Sequence, residues 1–343
     1  MNGTDPETLL AEGARFIDVR APSEFTRGAV PGAINLPILD DDERHEVGST
    51  YNNEGHNAAV ALGYRLVSGA VRQARVAAWA EALDAYPEAW IYCWRGGQRS
   101  QIAQEWLHEA GYEVPRVEGG FKALRQCCLE VLARAPHALP WLVLAGRTGS
   151  GKTVLIRERP DSIDLEGQAN HRGSAFGGRS CTQPSPISFE NALAVAFLDL
   201  DSQRLIVEDE SRTIGRLALP AAWHERMQTA PVVVVEADLS ERVENIRREY
   251  VDEPLAEGVT PGDLQARYQG ALERISRRLG GDRCRAVARA LAEGFASGHH
   301  HAWIEQLLLW YYDPMYDYQL SKKQDRIVMQ GDRDAVREFL ATP

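Results

Sequence analysis

From Ala14 to Leu39 the chain reads ARFIDVRAPSEFTRGAVPGAINLPIL. A short apolar run passes through a charged turn into a second apolar run bounded by Pro31, Gly32 and Pro37, which predicts two short strands. Helical spacing follows in VRQARVAAWAEALDAY. AWIYCW then reads as a strand, SQIAQEWLHEAGY as a helix closed by Gly111, and EVPRVEGGF as a further short strand with a turn. Strands alternating with helices predict a parallel sheet covered on both faces. LARAPHALP breaks this rhythm with two prolines. Residues 1–131 are therefore expected to form one domain, 132–140 a linker and 141–343 a second domain. That second domain opens on WLVLAG as a buried strand, with GKTVLIRER starting a helix. RLIVEDES is a second strand, and APVVVVEADLSERVENIRREY a third strand with its helix. Beyond Leu264 the pattern is mostly helical, so the fold class expected is α/β in both domains with a helical C-terminal region.

A length of 343 residues fits two domains, and 44% hydrophobic with 25% charged residues places the chain among ordinary globular proteins. A net charge of -11 disfavours indiscriminate binding to nucleic acid, so an RNA partner must meet a local basic patch. No apolar run has the length to cross a bilayer. The start MNGTDPETLL lacks the flank and apolar stretch of a signal peptide, so a cytoplasmic protein with no membrane partner is expected. Five cysteines without paired CxxC spacing argue against a disulfide framework and a zinc site.

One of those cysteines is unlike the rest. In YCWRGGQRS, Cys93 closes a strand and opens a tight loop before a helix, where open α/β sheets place ligands. Gly96 and Gly97 let successive N–H groups of Arg95, Gly96, Gly97 and Gln98 turn toward one point as an anion nest. With Arg95, Arg99 and the helix dipole, they favour thiolate at Cys93, the expected nucleophile. Cys127, Cys128, Cys181 and Cys284 lack such surroundings and are expected to be structural.

GRTGSGKT, Gly146 to Thr153, lies between a strand and a helix and fits a phosphate-binding P-loop. The N–H groups of Gly149, Ser150, Gly151 and Lys152 would wrap a diphosphate, the Lys152 ammonium would meet its charge, and Thr153 would complete a magnesium shell. Glu208 and Asp209, at the end of LIVEDES, are the candidate magnesium-orienting carboxylates. Such a loop recognises diphosphate rather than adenine, so the ligand is a nucleotide or another diphosphate ester.

NHRGSAFGG supplies His171 and Arg172 as a candidate substrate loop. Arg274, Arg277 and Arg278 share one helix face within a basic island, near aromatics suited to stacking on splayed bases, and are the candidate RNA contacts. His299 to His301 are expected at the surface, and no metal site is assigned.

FIDVRAPSEFTRGAVPGAINLP resembles the N-terminal signature of rhodanese-like domains. The resemblance implies that Cys93 is a chalcogen carrier. Five residues separate Cys93 from Arg99, one more than in the commonest sulfurtransferases and as in cysteine-dependent phosphatases. A phosphatase usually has histidine before the cysteine, where this chain has Tyr92.

With YCWRGGQRSQ, GRTGSGKT and HRGSAFG in that order, the chain resembles the tRNA 2-selenouridine synthase family over nearly its whole length. The resemblance implies exchange of sulfur for selenium in wobble 2-thiouridine of a tRNA anticodon loop. Selenophosphate and geranyl diphosphate would be co-substrates, with an S-geranyl intermediate and Mg2+ as a candidate ion. A selenophosphate-supplying enzyme becomes a candidate partner. Cys93 and Arg99 would then be catalytic, the loop 95–98 would bind selenophosphate and the P-loop would bind the prenyl diphosphate. Three other readings stay open: a sulfurtransferase coupled to an ATP-dependent domain acting on a non-RNA substrate, a phosphatase with a kinase-like partner, and a pair of binding modules with an inert Cys93.

Overall fold

The computed structural model describes residues 5–342 and divides into two compact units. The first runs to Arg134 and also takes Ser185–Asp199; the second comprises Ala135–Pro184 and the chain from Leu200 onward. Both are α/β.

In the first unit β1 (Phe16–Asp18), β2 (Ala33–Asn35) and β3 (Trp90–Tyr92) form a parallel sheet in the order β2-β1-β3. Asp18 pairs in register with Tyr92, so β1 and β3 end at the same edge and Cys93 emerges just beyond it. EVPRVEGGF contributes only one bridge, Arg116 to Ile91, because the segment turns at once into a long helix, Gly120–Ala138. The helix Gln98–Glu109 follows the cysteine loop and buries Ala103, Trp106 and Leu107 on one face, against a core that includes Ile17, Trp79 and Ile91.

Two helices here have no counterpart in the sequence pattern, Asp41–Glu54 and His56–Leu66. The first starts in a reciprocal cap: Asp40 accepts from the Glu43 amide and Glu43 from the Asp40 amide, both at 2.8 Å. Gly55 alone joins the pair. The helix Pro186–Leu198 also departs from expectation, since it groups with the first unit rather than with its sequence neighbours. Its Phe189, Leu193 and Ala194 are buried, Asn191 donates to the Ala29 carbonyl at 2.9 Å, and Ser188 accepts from the Ala29 amide at 3.0 Å. The stretch 132–140, expected as a linker, is helical through Ala138, and Pro136 is carried inside the helix.

The second unit contains β4 (Trp141–Ala145), β5 (Ser162–Ile163), β6 (Leu205–Glu208), the small hairpin β7 (Thr213–Ile214) and β8 (Leu217–Ala218), β9 (Val232–Val235) and β10 (Ile327–Gly331). Five of them build a parallel sheet in the order β10-β9-β4-β6-β5, with every residue of β6 and β9 buried. The edge strand β10 lies in the region expected to be helical. Past β9 the chain packs the helices Pro261–Leu279, Gly281–Ser297 and His301–Leu307 around Tyr268, Leu272 and Trp303. Two π-helical turns, Arg248–Asp252 and Leu308–Tyr312, interrupt this helical part. Among the described residues no helix is long and apolar enough to cross a membrane.

Candidate active sites

Cys93 follows β3 directly and is 4% exposed. Its sulfur accepts from the Ser100 hydroxyl at 3.4 Å and lies 3.8 Å from the Gly97 carbonyl. The loop doubles back at Gly96, whose φ is +64°; opposite it, a Cβ on Gly120 would stand 2.3 Å from both the Cys93 carbonyl and the Gly96 nitrogen. Only glycine permits that approach. It allows the amides of Phe121 and Lys122 to donate to the carbonyls of Cys93 and Trp94, each at 2.9 Å. The carbonyls are thereby engaged away from the loop. The amides of Trp94, Arg95, Gly96 and Gly97 donate to no protein acceptor among the described residues, and the start of the next helix leaves further free amides.

Side chains brace this ring. Arg99 donates to both oxygens of Glu24, at 2.5 and 3.1 Å. Burial opposes the Arg99 charge, but the Glu24 carboxylate outweighs it and raises the guanidinium pKa. Burial likewise pushes Glu24 up, and its bonds from Arg99 and the Ala21 amide bring it below the usual carboxylate range. Behind the loop, Arg20 and Asp18 form a fully buried pair, with Nε 2.9 Å from Oδ2. Arg20 also lies 3.8 Å from the ring of Phe121, the residue that ties down the Cys93 carbonyl. Arg95 and Gln98 stay exposed at the rim, and Gln98 meets His56 Nε2 at 3.2 Å.

In the second unit the P-loop leaves β4. Its own carbonyls are held from outside: Arg242 Nε donates to the Thr148 carbonyl at 2.9 Å and Asn245 to the Gly149 carbonyl at 2.8 Å. Arg242 is buried and anchored by Asp313 at 3.1 Å. A Cβ on Gly149 would stand 2.7 Å from the Arg242 carbonyl. Lys152 Nζ folds back to the Gly146 carbonyl at 2.6 Å, and the buried Ser150 hydroxyl has no partner among the described residues.

The loop opens onto a cavity of about 620 Å³ lined by Gly149, Gly151, Lys152 and Thr153 together with residues from distant elements. Arg172, Glu208, Asp209 and Arg278 also line it. His171 does not; it sits beside the cavity, with a buried Nδ1 lacking a partner and a pKa lowered by burial and by Arg179 and Arg172. Arg274 and Arg277 line an adjoining hollow with Arg278 and Tyr311. Arg274 also donates to the Ala175 carbonyl at 3.2 Å, which ties the basic helix to the 170–178 loop.

The two candidate magnesium carboxylates differ. Asp209 is committed to an ion pair with Lys323. Glu208 accepts from the Leu165 amide at 3.0 Å through one oxygen and leaves its other oxygen buried without a partner. Burial raises Glu208, Glu210 and Glu166 above the ordinary carboxylate range, and Glu166 reaches about 7 although Lys152 pulls it down. Among the described residues no cluster of three or more metal-ligating side chains is formed.

A rhodanese-like domain matches residues 7–127, and the tRNA 2-selenouridine synthase AAA domain matches residues 139–343. The tRNA 2-selenouridine synthase of Cupriavidus necator is 48% identical over 98% of this chain and 96% of its own length. The chain belongs to the tRNA 2-selenouridine synthase family. The protein of that name from Shewanella denitrificans is 45% identical over 97% of this chain and 95% of its own length, and that from Bordetella petrii 46% over 98% and 94%. A solved N-terminal domain of an ATP/GTP binding protein from Clostridium difficile 630 shares 34% identity over 33% of the chain and 88% of its own length. Its TM-score is 0.31.

For this member of the tRNA 2-selenouridine synthase family, several pocket residues escaped sequence reasoning. Glu166, Glu249, Tyr250, Tyr316 and Lys323 reach the P-loop cavity from three helical segments and the bend after the last of them, two of them through the first π-helical turn, and no local motif marks them. His300 corrects an expectation: it is buried rather than superficial, because its Nδ1 accepts from Trp303 Nε1 at 3.1 Å and its ring packs against Phe295 at 4.8 Å. Cys128 is buried, and burial pushes its thiol up to about 12. Cys127 rises to about 11, from burial and the nearby Glu7.

Proposed function

We propose that the chain exchanges the sulfur of wobble 2-thiouridine in tRNA for selenium in two steps. In the first, the thiocarbonyl sulfur attacks the terminal carbon of geranyl diphosphate. A C–S bond forms, the C–O bond breaks, diphosphate leaves and the base loses its N3 proton. Lys152 and the P-loop amides stabilise the charge gathering on the leaving diphosphate. Thr153 and the unpartnered oxygen of Glu208 suit a hydrated Mg2+, which would add positive charge there. Asp209, already paired with Lys323, is the weaker candidate.

In the second step selenophosphate is held through its phosphate by the uncommitted amides 94–97, with Arg95 and Gln98 at the rim and the Cys93 thiol as proton donor to the departing sulfur. Selenium adds to C2, the C2–S bond breaks, geranylthiol leaves, and water takes the phosphoryl group. Alkylation matters because it turns a poor leaving group into a thiol. Arg274, Arg277 and Arg278 meet the RNA backbone beside the P-loop cavity.

The observation that supports this reading best is the ring of free amides around Cys93 in a chain that also carries a P-loop cavity. The test is incubation with 2-thiouridine tRNA, both donors and Mg2+, omitting each donor in turn and following the nucleoside by mass spectrometry. Without selenophosphate the S-geranyl nucleoside should accumulate; without geranyl diphosphate neither product should form. Selenium incorporation at full rate without a prenyl donor would sink the two-step scheme.

A further inference from the structure

The two helices absent from the sequence pattern form one side of a half-open cavity of about 160 Å³ that no step above uses. Its walls are Ile38, Val47, Val60, Gly63, Ile102 and Trp106. Ile38 and Trp106 belong to the same apolar cluster as Cys93, and Val47 and Ile102 pack against that cluster. An apolar cavity of about this size stays dry and takes up a hydrocarbon such as benzene.

A few polar residues join this apolar lining. Gln98 and Arg99 of the cysteine loop are among them, with His56 bonded to Gln98 at 3.2 Å. Arg99 is shared with a second, polar basin of about 600 Å³ that adds Arg44, His45, Ser49 and Asn52. Arg44 and Arg99 converge on Glu24 at 3.8 and 2.5 Å, and Arg99 is held there by two hydrogen bonds. Tyr51, 55% exposed, stands between basin and cavity and lines both. A molecule that satisfies all of this has a short hydrocarbon chain for the cavity and a polar, anionic body for the basin, joined at the cysteine loop.

We infer that this cavity receives the isoprenoid chain of an S-prenylated nucleotide, seating the C–S bond to be broken beside the Cys93 loop. The inference rests on the two-step reading above and names the group that positions its intermediate. A cavity of this volume encloses roughly six carbons, the distal isoprene unit and the bond leading to it, while the proximal carbons lie in the mouth. Discrimination between prenylated and unmodified nucleotides follows, because unmodified 2-thiouridine leaves the cavity unfilled.

Gly63 supplies the test. It lies in a helix, and a Cβ added there would touch Val47 at an ordinary 3.9 Å, so Gly63→Ala is tolerated and Gly63→Leu projects into the cavity. The full-length protein is titrated with an anticodon stem-loop RNA carrying S-geranyl-2-thiouridine and with the S-methyl equivalent. Sulfur-for-selenium exchange on both is timed separately. The protein should prefer the geranyl RNA, Gly63→Ala should keep that preference, and Gly63→Leu should lower affinity for the geranyl RNA on the order of ten-fold with the methyl RNA unchanged. Matching melting curves show that the fold is intact. Exchange that proceeds with the geranyl preference undiminished in Gly63→Leu overturns the cavity assignment alone. Binding that depends on Gly63 with no exchange at all leaves the assignment standing and overturns the two-step function.

Discussion

The loop after β3 and the loop after β4 both leave backbone amides without protein acceptors among the described residues, but the charges behind them are arranged in opposite ways. Around Cys93 the ionised groups are already matched, Arg99 to Glu24 and Arg20 to Asp18, and the amides face inward unused. Around Lys152 three carboxyls, Glu166, Glu208 and Glu210, are held toward their protonated forms chiefly by burial. The first site is complete as a receptor for one compact anion. The second carries charge that must change partners when a polyanion enters, which suits a site where negative charge arrives with a cation and leaves as diphosphate. Similar backbone geometry therefore does not mean similar chemistry; the buried side chains behind it decide.

The sharpest way to break that comparison is to remove the head of each cradle. Lys152→Ala should lower prenyl transfer by about 10²–10³-fold and leave selenium exchange on pre-prenylated RNA intact. Cys93→Ser should do the reverse, so that the S-prenyl nucleoside accumulates. Mass spectrometry of the nucleosides after single-turnover reactions reads both. If the two variants stall at the same step, the division of labour between the loops is gone.

The contrast also explains what was readable beforehand. Each loop announces itself locally, since glycines at fixed spacing after an apolar run have few other uses, and both ended where open sheets hold ligands. The buried carboxyl cluster was not readable, because Glu166 and Glu210 come from separate segments and an acid after a strand is commonplace. The pair of helices 41–66 was hidden for another reason: polar residues crowd the first, and no residue of it is buried. Its start is set by the Asp40–Glu43 cap rather than by an apolar stripe. The helix Pro186–Leu198 reads as apolar on nearly every side, which signals burial but not in which unit.

A milder perturbation sharpens the electrostatic half of the comparison. Glu166 has a pKa near 7 in the folded protein against an ordinary 4.5. Between those values the folded chain keeps a proton that the unfolded chain releases, so this group makes stability fall as pH rises and the loss is complete above pH 7. Glu166→Gln removes the titration while keeping the shape. It should be nearly neutral around pH 5 and stabilise the chain by about 3 kcal/mol at pH 8. Urea unfolding at the two pH values checks this. An equal effect at both would mean that Glu166 is ionised throughout, and the contrast with the Cys93 loop would lose its basis.

The smallest expected effect lies on the basic helix. Arg274 is tied to the Ala175 carbonyl and Arg278 lines the P-loop cavity, whereas Arg277 is exposed and lines only the adjoining hollow. If that hollow holds an RNA phosphate, Arg277→Gln should weaken binding of all tRNAs alike and reduce the slope of log affinity against log salt by roughly 0.7–1. At saturating RNA, neither prenyl transfer nor selenium exchange should change, because the residue touches no reacting atom. An unchanged slope would take Arg277 off the RNA path. The contact would then rest on Arg274 and on Arg278, which also lines the P-loop cavity.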